Sequence, residues 1–151
     1  KKNNPEIKLH MIGKLQTNKV KFAVKLFDYI HSVDSEKLAK KIVDEQNKIN
    51  KKIKIFLQVN IGDENQKSGI HKNEVHHLVS YCREIGLDLI GLMCIPPVNA
   101  NPEVYFREMK KLNQSFGFTE LSMGMSSDFL LAAKYHSTFI RIGSSIFGQR
   151  N

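Results

Sequence analysis

The sequence predicts an α/β protein in which helices cover a parallel β-sheet. Three observations support this class: about six apolar strands alternate with five amphipathic helices, the strands are nearly continuous apolar runs, and no linker or low-complexity stretch interrupts the alternation. Strict alternation of strand and helix favours parallel strands that are buried on both faces. A chain of 151 residues is enough for one sizeable core, so we expect residues 1–151 to form a single domain.

In the first half of the chain, segments with the apolar spacing of a strand alternate with segments that have the apolar spacing of a helix. Residues 8–13 predict a short strand closed by glycine, and residues 17–27 predict a helix because four apolar side chains recur at helical spacing. Residues 29–33 predict the second strand. A helix is expected to begin after Ser35, a good N-cap residue, and residues 53–61 form the clearest strand because they are rich in β-branched side chains.

The second half repeats the pattern after a polar loop. Gly86 and Gly117 suit helix ends, Pro102 suits a first helical turn, and Ser127 with Asp128 suits a helix cap. The predicted elements are helices over residues 72–85, 102–116 and 129–133 and strands over residues 87–95, 119–123 and 138–142.

Two architectures fit this alternation, an open doubly wound sheet and a (β/α)8 barrel of the TIM-barrel family. A complete barrel takes about 250 residues, or roughly 30 for each βα unit. At that rate the 151 residues supply about five units, so the chain cannot close a barrel alone. The sheet is therefore either open or the later part of a barrel.

The composition excludes several classes of protein. No apolar run approaches the roughly 20 residues that a membrane helix needs. Residues 1–5 contain no apolar segment of a secretory signal, so we expect a cytoplasmic protein. No initiator Met is present, so we expect that the chain does not start where its gene does. Two cysteines, Cys82 and Cys94, rule out a disulfide framework or a cysteine-rich zinc site.

The basic balance and the histidines indicate no site of their own. The net charge is +8, from 23 Lys+Arg and 15 Asp+Glu, and the lysines recur at intervals typical of solvated faces. The six histidines form no His-Glu-x-x-His motif, and we expect them at the surface. Cys82 is expected in the core, and Cys94, near a strand end, could line a pocket.

Residues 121–128 (LSMGMSSD) carry the most informative pattern. A strand ends, a glycine permits a tight turn, and hydroxyl residues open a helix, which offers amide and hydroxyl donors to one anion. Simple helix capping by Ser127 or Asp128 is the alternative. A serine-hydrolase elbow is disfavoured, because that motif is Gly-x-Ser-x-Gly and Asp128 stands at its second glycine.

Residues 141–148 (RIGSSIFG) again end an apolar strand with glycine and hydroxyls. The alternative interpretation is a turn into a short terminal helix. The two segments follow the last two strands, and the loops after strands 7 and 8 are where (β/α)8 barrels commonly bind phosphate. If Arg141 faces inward from its strand, it would meet the ligand above that phosphate.

Residues 10–19 (HMIGKLQTNK) resemble the HxIGxLQxNK segment of the pyridoxal phosphate homeostasis proteins, the YggS/PROSC family. The resemblance covers essentially the whole chain in order. It implies an incomplete (β/α)8 barrel similar to the N-terminal domain of alanine racemase, and non-enzymatic binding of pyridoxal 5′-phosphate (PLP). The further matching segments are Val59 to Ile61, Lys67 to Gly69, Gly91 to Met93, Ser122 to Asp128 and Arg141 to Gly148.

The sequence departs from the family pattern at its beginning. The family's Schiff-base lysine, at the end of the first strand in a Val-Ser-Lys-type motif, has no counterpart, and the first two βα units are missing. The chain thus resembles strands three to eight of the family barrel, about six βα units. Four lysines belong to other matched segments and cannot inherit the role: Lys8, Lys14, Lys54 and Lys67.

The resemblance implies a PLP site without a metal or a catalytic residue. Ser126 and the backbone beside it would hold the phosphate, Met93 would pack on the ring, and Arg141 would approach the pyridine nitrogen, where a permanent cation discourages ring protonation. Without the lysine, binding is expected to be weak. The predicted contact residues are Met93, Ser122, Gly124, Met125, Ser126, Arg141, Gly143 and Ser144.

Three functions are compatible with these observations. The first is a PLP carrier that buffers the cofactor and delivers it to PLP-dependent apoenzymes, with no turnover of its own. The second is a racemase-like PLP enzyme or another phosphate-binding barrel enzyme, which an alanine racemisation assay distinguishes from the first. The third is a basic nucleic-acid-associated domain, although no reader motif is present.

The missing units also have a structural consequence. Strands 8–12 and 138–142 are expected to be the unpaired edges of the sheet, and open apolar edges invite pairing with another chain. We expect the chain to dimerise, to exchange strands or to be completed by residues outside this sequence.

Overall fold

The structure, a computed structural model, describes residues 3–64 and 66–148. Its strands are β1 (His10–Met11), β2 (Tyr29–Val33), β3 (Lys54–Asn60), β4 (Ile70–His71), β5 (Asp88–Cys94), β6 (Glu120–Met125) and β7 (Phe139–Arg141). They form one parallel sheet in the order β1-β2-β3-β5-β6-β7, and the short β4 pairs with β3.

The helices connect these strands and cover the outer face of the sheet. Ser35 accepts a hydrogen bond from the Leu38 amide (3.4 Å), and Asn101 accepts one from the Glu103 amide (3.0 Å), so the two longest helices begin with a capping side chain. The helices are α1 (Val20–Leu26), α2 (Glu36–Lys48), α3 (Val75–Glu84), α4 (Pro102–Ser115), α5 (Phe129–Lys134) and α6 (Ser144–Phe147).

Alternate residues of each strand serve two different layers, because side chains of a strand point to opposite faces in turn. On β3, Ile55 and Leu57 lie in the main apolar core together with helix residues. Phe56, between them, is equally buried but points to the inner face. There its ring packs with those of His31 and Phe139, and the Phe139 ring in turn packs with the rings of His10 and Tyr29.

The predicted parallel α/β sheet of an incomplete barrel is confirmed, although the ends of most elements differ from the prediction by one to three residues. Strand β1 covers only two residues, and as an edge strand it pairs only with β2. Strand β6 continues to Met125, two residues beyond its predicted end. Strand β4 lies between the predicted polar loop and the predicted helix and was assigned to neither. It forms because Gly69 (φ 116°) lies against β3, where a Cβ would come within 2.6 Å of the Asn60 amide nitrogen.

The described strands leave the sheet open between β1 and β7, which are its two edges, as the sequence predicts. The sheet is nevertheless strongly curved, because the ring centroids of His10 on β1 and Phe139 on β7 lie only 5.6 Å apart. The edge strands therefore meet through side chains at the interior and not through a backbone ladder.

The joint between β6 and β7 depends on side-chain hydroxyls. The Thr138 hydroxyl accepts a hydrogen bond from the Leu121 amide (2.8 Å), and the Ser137 hydroxyl accepts one from the Met123 amide (3.1 Å). Backbone pairing is sparse here, with register pairs at Ser122–Phe139 and Met125–Arg141 and an irregularity between them. Hydroxyl groups thus take the place of ladder carbonyls along much of this joint.

The surface agrees with the predicted solvated faces. On α2, Lys41 and Lys48 both contact Glu45, at 2.8 and 2.9 Å, and these bonds lower the pKa of Glu45 to about 2. Within residues 3–64 and 66–148, no helix combines the length and the apolar character needed to cross a bilayer. The same residues contain no group of three or more His, Cys, Asp or Glu side chains placed to hold a metal ion.

Candidate functional site

The loops that follow β6 and β7 meet at the carboxyl ends of their strands. The Gly143 amide donates a hydrogen bond to the Ser126 hydroxyl (3.1 Å), which joins the two loops. A cleft of about 650 Å³ lies beside this contact, lined by Met125, Ser126, Ser144 and Phe147 among others. The structure therefore brings together the two hydroxyl-rich segments that the sequence singles out. The short helix considered for residues 141–148 is also present, as α6.

The loop after β6 has an internal hydrogen bond that the sequence did not reveal. The Met125 amide, predicted to face the phosphate, donates to the Asp128 carboxylate (2.7 Å). Asp128 does stand at the N-cap of α5, but its side chain makes no bond to the helix amides that follow. The expected cap is therefore replaced by a bond back into the loop, and the Met125 amide is engaged within the protein.

Gly124 is required by the way β6 ends. Its φ is +93°, and a Cβ at this position would lie 2.6 Å from the Ala132 Cβ and 3.0 Å from the Phe129 Cα. A left-handed residue without a side chain lets the strand turn directly beneath α5. Gly124 thus shapes the loop from the helix side.

Arg141 lies on the inner face, as the hypothesis of an inward-facing arginine requires. Its Nη1 donates to the Ser122 hydroxyl (2.7 Å), and its Nη2 donates to the Cys94 carbonyl (2.8 Å). Burial lowers the pKa of Arg141, but a guanidinium stays protonated in proteins. Two neighbouring strands therefore hold a permanent cation in the interior.

Two predicted site residues, Met93 and Ser122, are fully buried. Ser122 lies behind Arg141, with its hydroxyl bonded to Arg141 and to the Nδ1 of His31 (2.9 Å). Met93 is on the inner face of β5, in register with Ser122. Both residues lie beneath the cleft, and direct contact with a ligand remains a prediction for each.

The expectation that all histidines are at the surface is wrong for two of them. His31 is 1% exposed, and His10 is half-buried. The His10 Nδ1 and the His31 Nε2 lie 3.0 Å apart, and the His31 ring stacks on Phe56 with centroids 4.3 Å apart. The available signal was the position of each histidine inside a predicted strand, His10 between Leu9 and Met11 and His31 after Ile30.

The electrostatics of this pair follow from burial. Desolvation, with smaller contributions from His10 and Arg141, lowers the pKa of His31 to about 3, so its ring is neutral at physiological pH. Burial also lowers the pKa of His10, opposed by the nearby Asp28 carboxylate. The interior therefore contains one permanent cation and neutral imidazoles.

Both cysteines are buried free thiols. Burial raises the pKa of Cys82 and of Cys94 to about 12, so neither is a thiolate at neutral pH. The core position of Cys82 is confirmed. The expectation that Cys94 could line a pocket is wrong, because its side chain lies in the apolar core beneath the helices.

A second cavity, of about 470 Å³, opens on the inner face beside the first. His10, Ile12 and Arg141 are among its lining residues, and it shares Met125 and Gly143 with the cleft between the loops. One end of the combined space offers hydroxyl and amide donors, and the other offers aromatic and apolar walls with a guanidinium. Such a space suits an anionic group attached to a flat ring.

Known proteins are similar to this chain in sequence and in fold. The family described as alanine racemase, N-terminal domain, matches residues 1–151. A pyridoxal phosphate homeostasis protein of Aquifex aeolicus is 37% identical over 155 residues, which cover 96% of this chain and 68% of that protein. The structure of PipY from Synechococcus elongatus with PLP bound has a TM-score of 0.88 at 31% identity and covers 97% of this chain and 73% of its own.

An alanine racemase of Clostridium difficile shares the fold, with a TM-score of 0.73 at 15% identity over 99% of this chain and 42% of its own. Fold and site together define an α/β barrel-type protein in which two hydroxyl-rich loops meet at the carboxyl ends of neighbouring strands. The chain belongs to the alanine racemase N-terminal domain family and, within it, to the pyridoxal phosphate homeostasis proteins.

Proposed function

We propose that this chain binds PLP in the cleft between the loops after β6 and β7, and that it serves PLP homeostasis by holding the cofactor and passing it to apoenzymes. One observation carries the proposal. Ser126 and Gly143 meet at the strand ends that also present Arg141, in a chain 31% identical to PipY, whose structure has PLP bound.

The phosphate fits the cleft between the loops. Ser126 and Ser144 supply hydroxyls, and the first amides of α6 have no acceptor within their own helix. Amide and hydroxyl donors from two loops disperse a dianionic charge without a metal. Because the Met125 amide is engaged by Asp128 and the Gly143 amide by Ser126, the donors of this proposal are the Ser126 and Ser144 hydroxyls and the first amides of α6.

The pyridine ring fits the inner-face cavity. Arg141 is among its lining residues and is the cation that would approach the ring nitrogen, while Ile12 and Phe139 supply apolar and aromatic surface. The volume of about 470 Å³ is within the range of roughly 300–1,000 Å³ that is usual for small-molecule sites. Met93 would support the ring from beneath.

The absence of turnover is also part of the proposal. When bound, PLP supplies an aldehyde and an electron-accepting ring, and its electron-accepting power depends on protonation of the ring nitrogen. A guanidinium at that nitrogen opposes protonation. No lysine is among the described residues lining either cavity, so we expect reversible, non-covalent binding. The curated relatives are named as homeostasis proteins, not as enzymes.

Equilibrium dialysis of the full chain with PLP tests the proposal. We expect the double variant Ser126→Ala, Ser144→Ala to raise the Kd for PLP about tenfold or more, since two hydrogen bonds to a charged group are lost. Ser80→Ala, an exposed serine on α3, is the matched control and should leave the Kd unchanged. A crystal soaked in phosphate should show the anion at Ser126 and Gly143.

An anion seated elsewhere, together with an unchanged Kd in the double variant, would contradict the assignment. Incubation with PLP and L-alanine should give no D-alanine. Racemisation by the wild-type chain would favour the enzyme alternative.

A further inference from the structure

A continuous chain of polar side chains crosses the interior of the sheet from β1 to β7. The His10 Nδ1 lies 3.0 Å from the His31 Nε2, and the His31 Nδ1 lies 2.9 Å from the Ser122 hydroxyl. The same hydroxyl accepts a hydrogen bond from the Arg141 Nη1 (2.7 Å). Four strands thus contribute to one network: β1, β2, β6 and β7.

The chemistry of the four groups fixes the direction of every bond. Arg141 can only donate, so Ser122 accepts from it. The hydroxyl hydrogen of the buried Ser122 then has one partner within bonding distance among the described residues, the His31 Nδ1. His31 therefore carries its proton on Nε2 and donates to the His10 Nδ1, which leaves His10 with its proton on Nε2.

The neighbouring aromatic rings hold both imidazole rings in one orientation. His31 is stacked on Phe56 and meets the edge of Phe139, with centroids 4.3 and 5.7 Å away. His10, Tyr29 and Arg141 are the charged or titratable groups beside it, and burial, with contributions from His10 and Arg141, keeps its ring neutral. His10 is stacked on Tyr29 at 4.2 Å with an interplanar angle of 7°, so its ring plane is also fixed.

We propose that His31, through Ser122, is a positioning residue that holds the Arg141 guanidinium toward the ring of the ligand, and that His10 offers its Nε2–H at the cavity wall. This inference rests on the proposed function and deepens it. Arg141 and His10 line the same cavity, and both present donors. They select a ring with acceptor atoms, such as an unprotonated pyridine nitrogen and an exocyclic oxygen, whereas a bare phosphate gains nothing from them.

A pair of variants separates positioning from simple packing. The side-chain amide of Asn can take the place of the His31 Nδ1 toward Ser122, while that of Gln takes the place of Nε2 toward His10. Both variants lose the stack on Phe56. Only His31→Gln withdraws the acceptor from Ser122, so only in this variant can the hydroxyl turn away from Arg141, which then keeps its bond to the Cys94 carbonyl alone.

The measured quantity is the affinity for PLP divided by the affinity for inorganic phosphate, each from titration of the full chain. We expect His31→Gln to lower this ratio about tenfold, in line with the loss of a hydrogen bond to a charged group, and His31→Asn to restore most of it. His10→Phe, which keeps the stack on Tyr29, should also lower the ratio. Equal ratios in the Gln and Asn variants would overturn the positioning role.

Nitrogen-15 NMR tests the directions of these hydrogen bonds in the absence of ligand. In the wild-type chain we expect His31 and His10 each to show a protonated Nε2 and an unprotonated Nδ1, and the Arg141 guanidinium to show slowly rotating Nη groups. The Arg141 signals should stay slow in His31→Asn and average in His31→Gln. If the wild-type chain binds no PLP, the proposed function fails, but these spectra still test the hydrogen-bond network. A protonated Nδ1 on His31 in the wild-type chain would overturn the network.

Discussion

At the scale of single residues, close backbone approach decides which positions tolerate a side chain. Gly124 and Gly86 both have positive φ values, +93° and +75°. A Cβ at Gly124 would collide with α5, whereas a Cβ at Gly86 would meet nothing within 4 Å. The two glycines therefore separate the cost of a left-handed backbone from the cost of a steric clash.

We expect Gly124→Ala to lower the free energy of unfolding by about 3 kcal/mol, since overpacking adds to backbone strain. Gly86→Ala should lower it by about 1 kcal/mol, from backbone strain alone. Urea denaturation of both variants measures the difference. Equal losses would show that α5 yields to the added methyl group.

The buried His31 gives the protein a predictable dependence on pH. Its pKa is about 3 in the folded chain against 6.5 in the unfolded chain, so protonation favours unfolding. The stability it contributes is complete above pH 6.5 and is lost as the pH falls toward 3. At pH 5 we expect the free energy of unfolding to be about 2 kcal/mol lower than at pH 7.

Urea titrations of the wild type and of His31→Asn at both pH values test this expectation. The variant should lose most of the difference, and His10, whose pKa is also lowered, accounts for part of what remains. Glu45 does not interfere, because its pKa is lowered from 4.5 and its contribution disappears only below that pH. A variant with the same pH dependence as the wild type would contradict the role of His31.

At the scale of elements, one buried amide ties α4 to the sheet. The Asn113 Oδ1 accepts a hydrogen bond from the Leu92 amide of β5 (2.9 Å), and its Nδ2 donates to the Phe118 carbonyl before β6 (3.2 Å). Asn113 is 4% exposed, so water cannot replace either bond. The helix face that the apolar stripe predicts thus includes one polar residue with a structural task.

Asn113→Ala should lower the free energy of unfolding by about 3 kcal/mol, because two buried backbone groups lose their partner. Gln114→Ala, at the neighbouring exposed position, should change it by less than about 0.5 kcal/mol. Chemical denaturation checks both. A small effect of Asn113→Ala would mean that the loop at Phe118 rearranges to satisfy the freed groups.

The elements themselves could be predicted from local patterns, whereas the interior network could not. Apolar periods and caps depend on neighbours in sequence, and they located the helices, the strands other than β4 and the two loops of the site. The contact between His10 and His31 joins residues 21 apart, and that between His31 and Ser122 joins residues 91 apart. Period-two alternation does not reveal which face of a strand becomes the interior, so no local pattern announces these contacts.

At the scale of the whole molecule, the open side of the half-barrel is the surface most prone to association with another chain. Strands β1 and β7 are the edges of the described sheet, and the side chains of Ile12 and Ile140 beside them are 48% and 43% exposed. Unpaired backbone groups next to apolar side chains favour association with another strand. The curvature that brings His10 and Phe139 together does not cover these edges.

We expect the 17.3 kDa chain to self-associate in a concentration-dependent way, with the midpoint shifted to higher concentration by Ile140→Lys, because a charge on an edge strand disfavours pairing. Sedimentation velocity over a dilution series measures both. Lys134→Arg, on the surface of α5, serves as the control. A monodisperse monomer at every concentration would rule the idea out.

The hydroxyl-based joint between β6 and β7 has a consequence for local unfolding. Strands β3 and β5 are paired at six register positions. Strand β7, in contrast, is held to β6 by two register pairs together with the Ser137 and Thr138 hydroxyls. Sparse attachment lowers the free energy of a sub-global opening. We therefore expect the segment from Thr138 to Phe147 to open more readily than the strands at the centre of the sheet, and to take Arg141 and Gly143 with it. Opening of this one segment would release a bound ligand while the rest of the sheet stays folded.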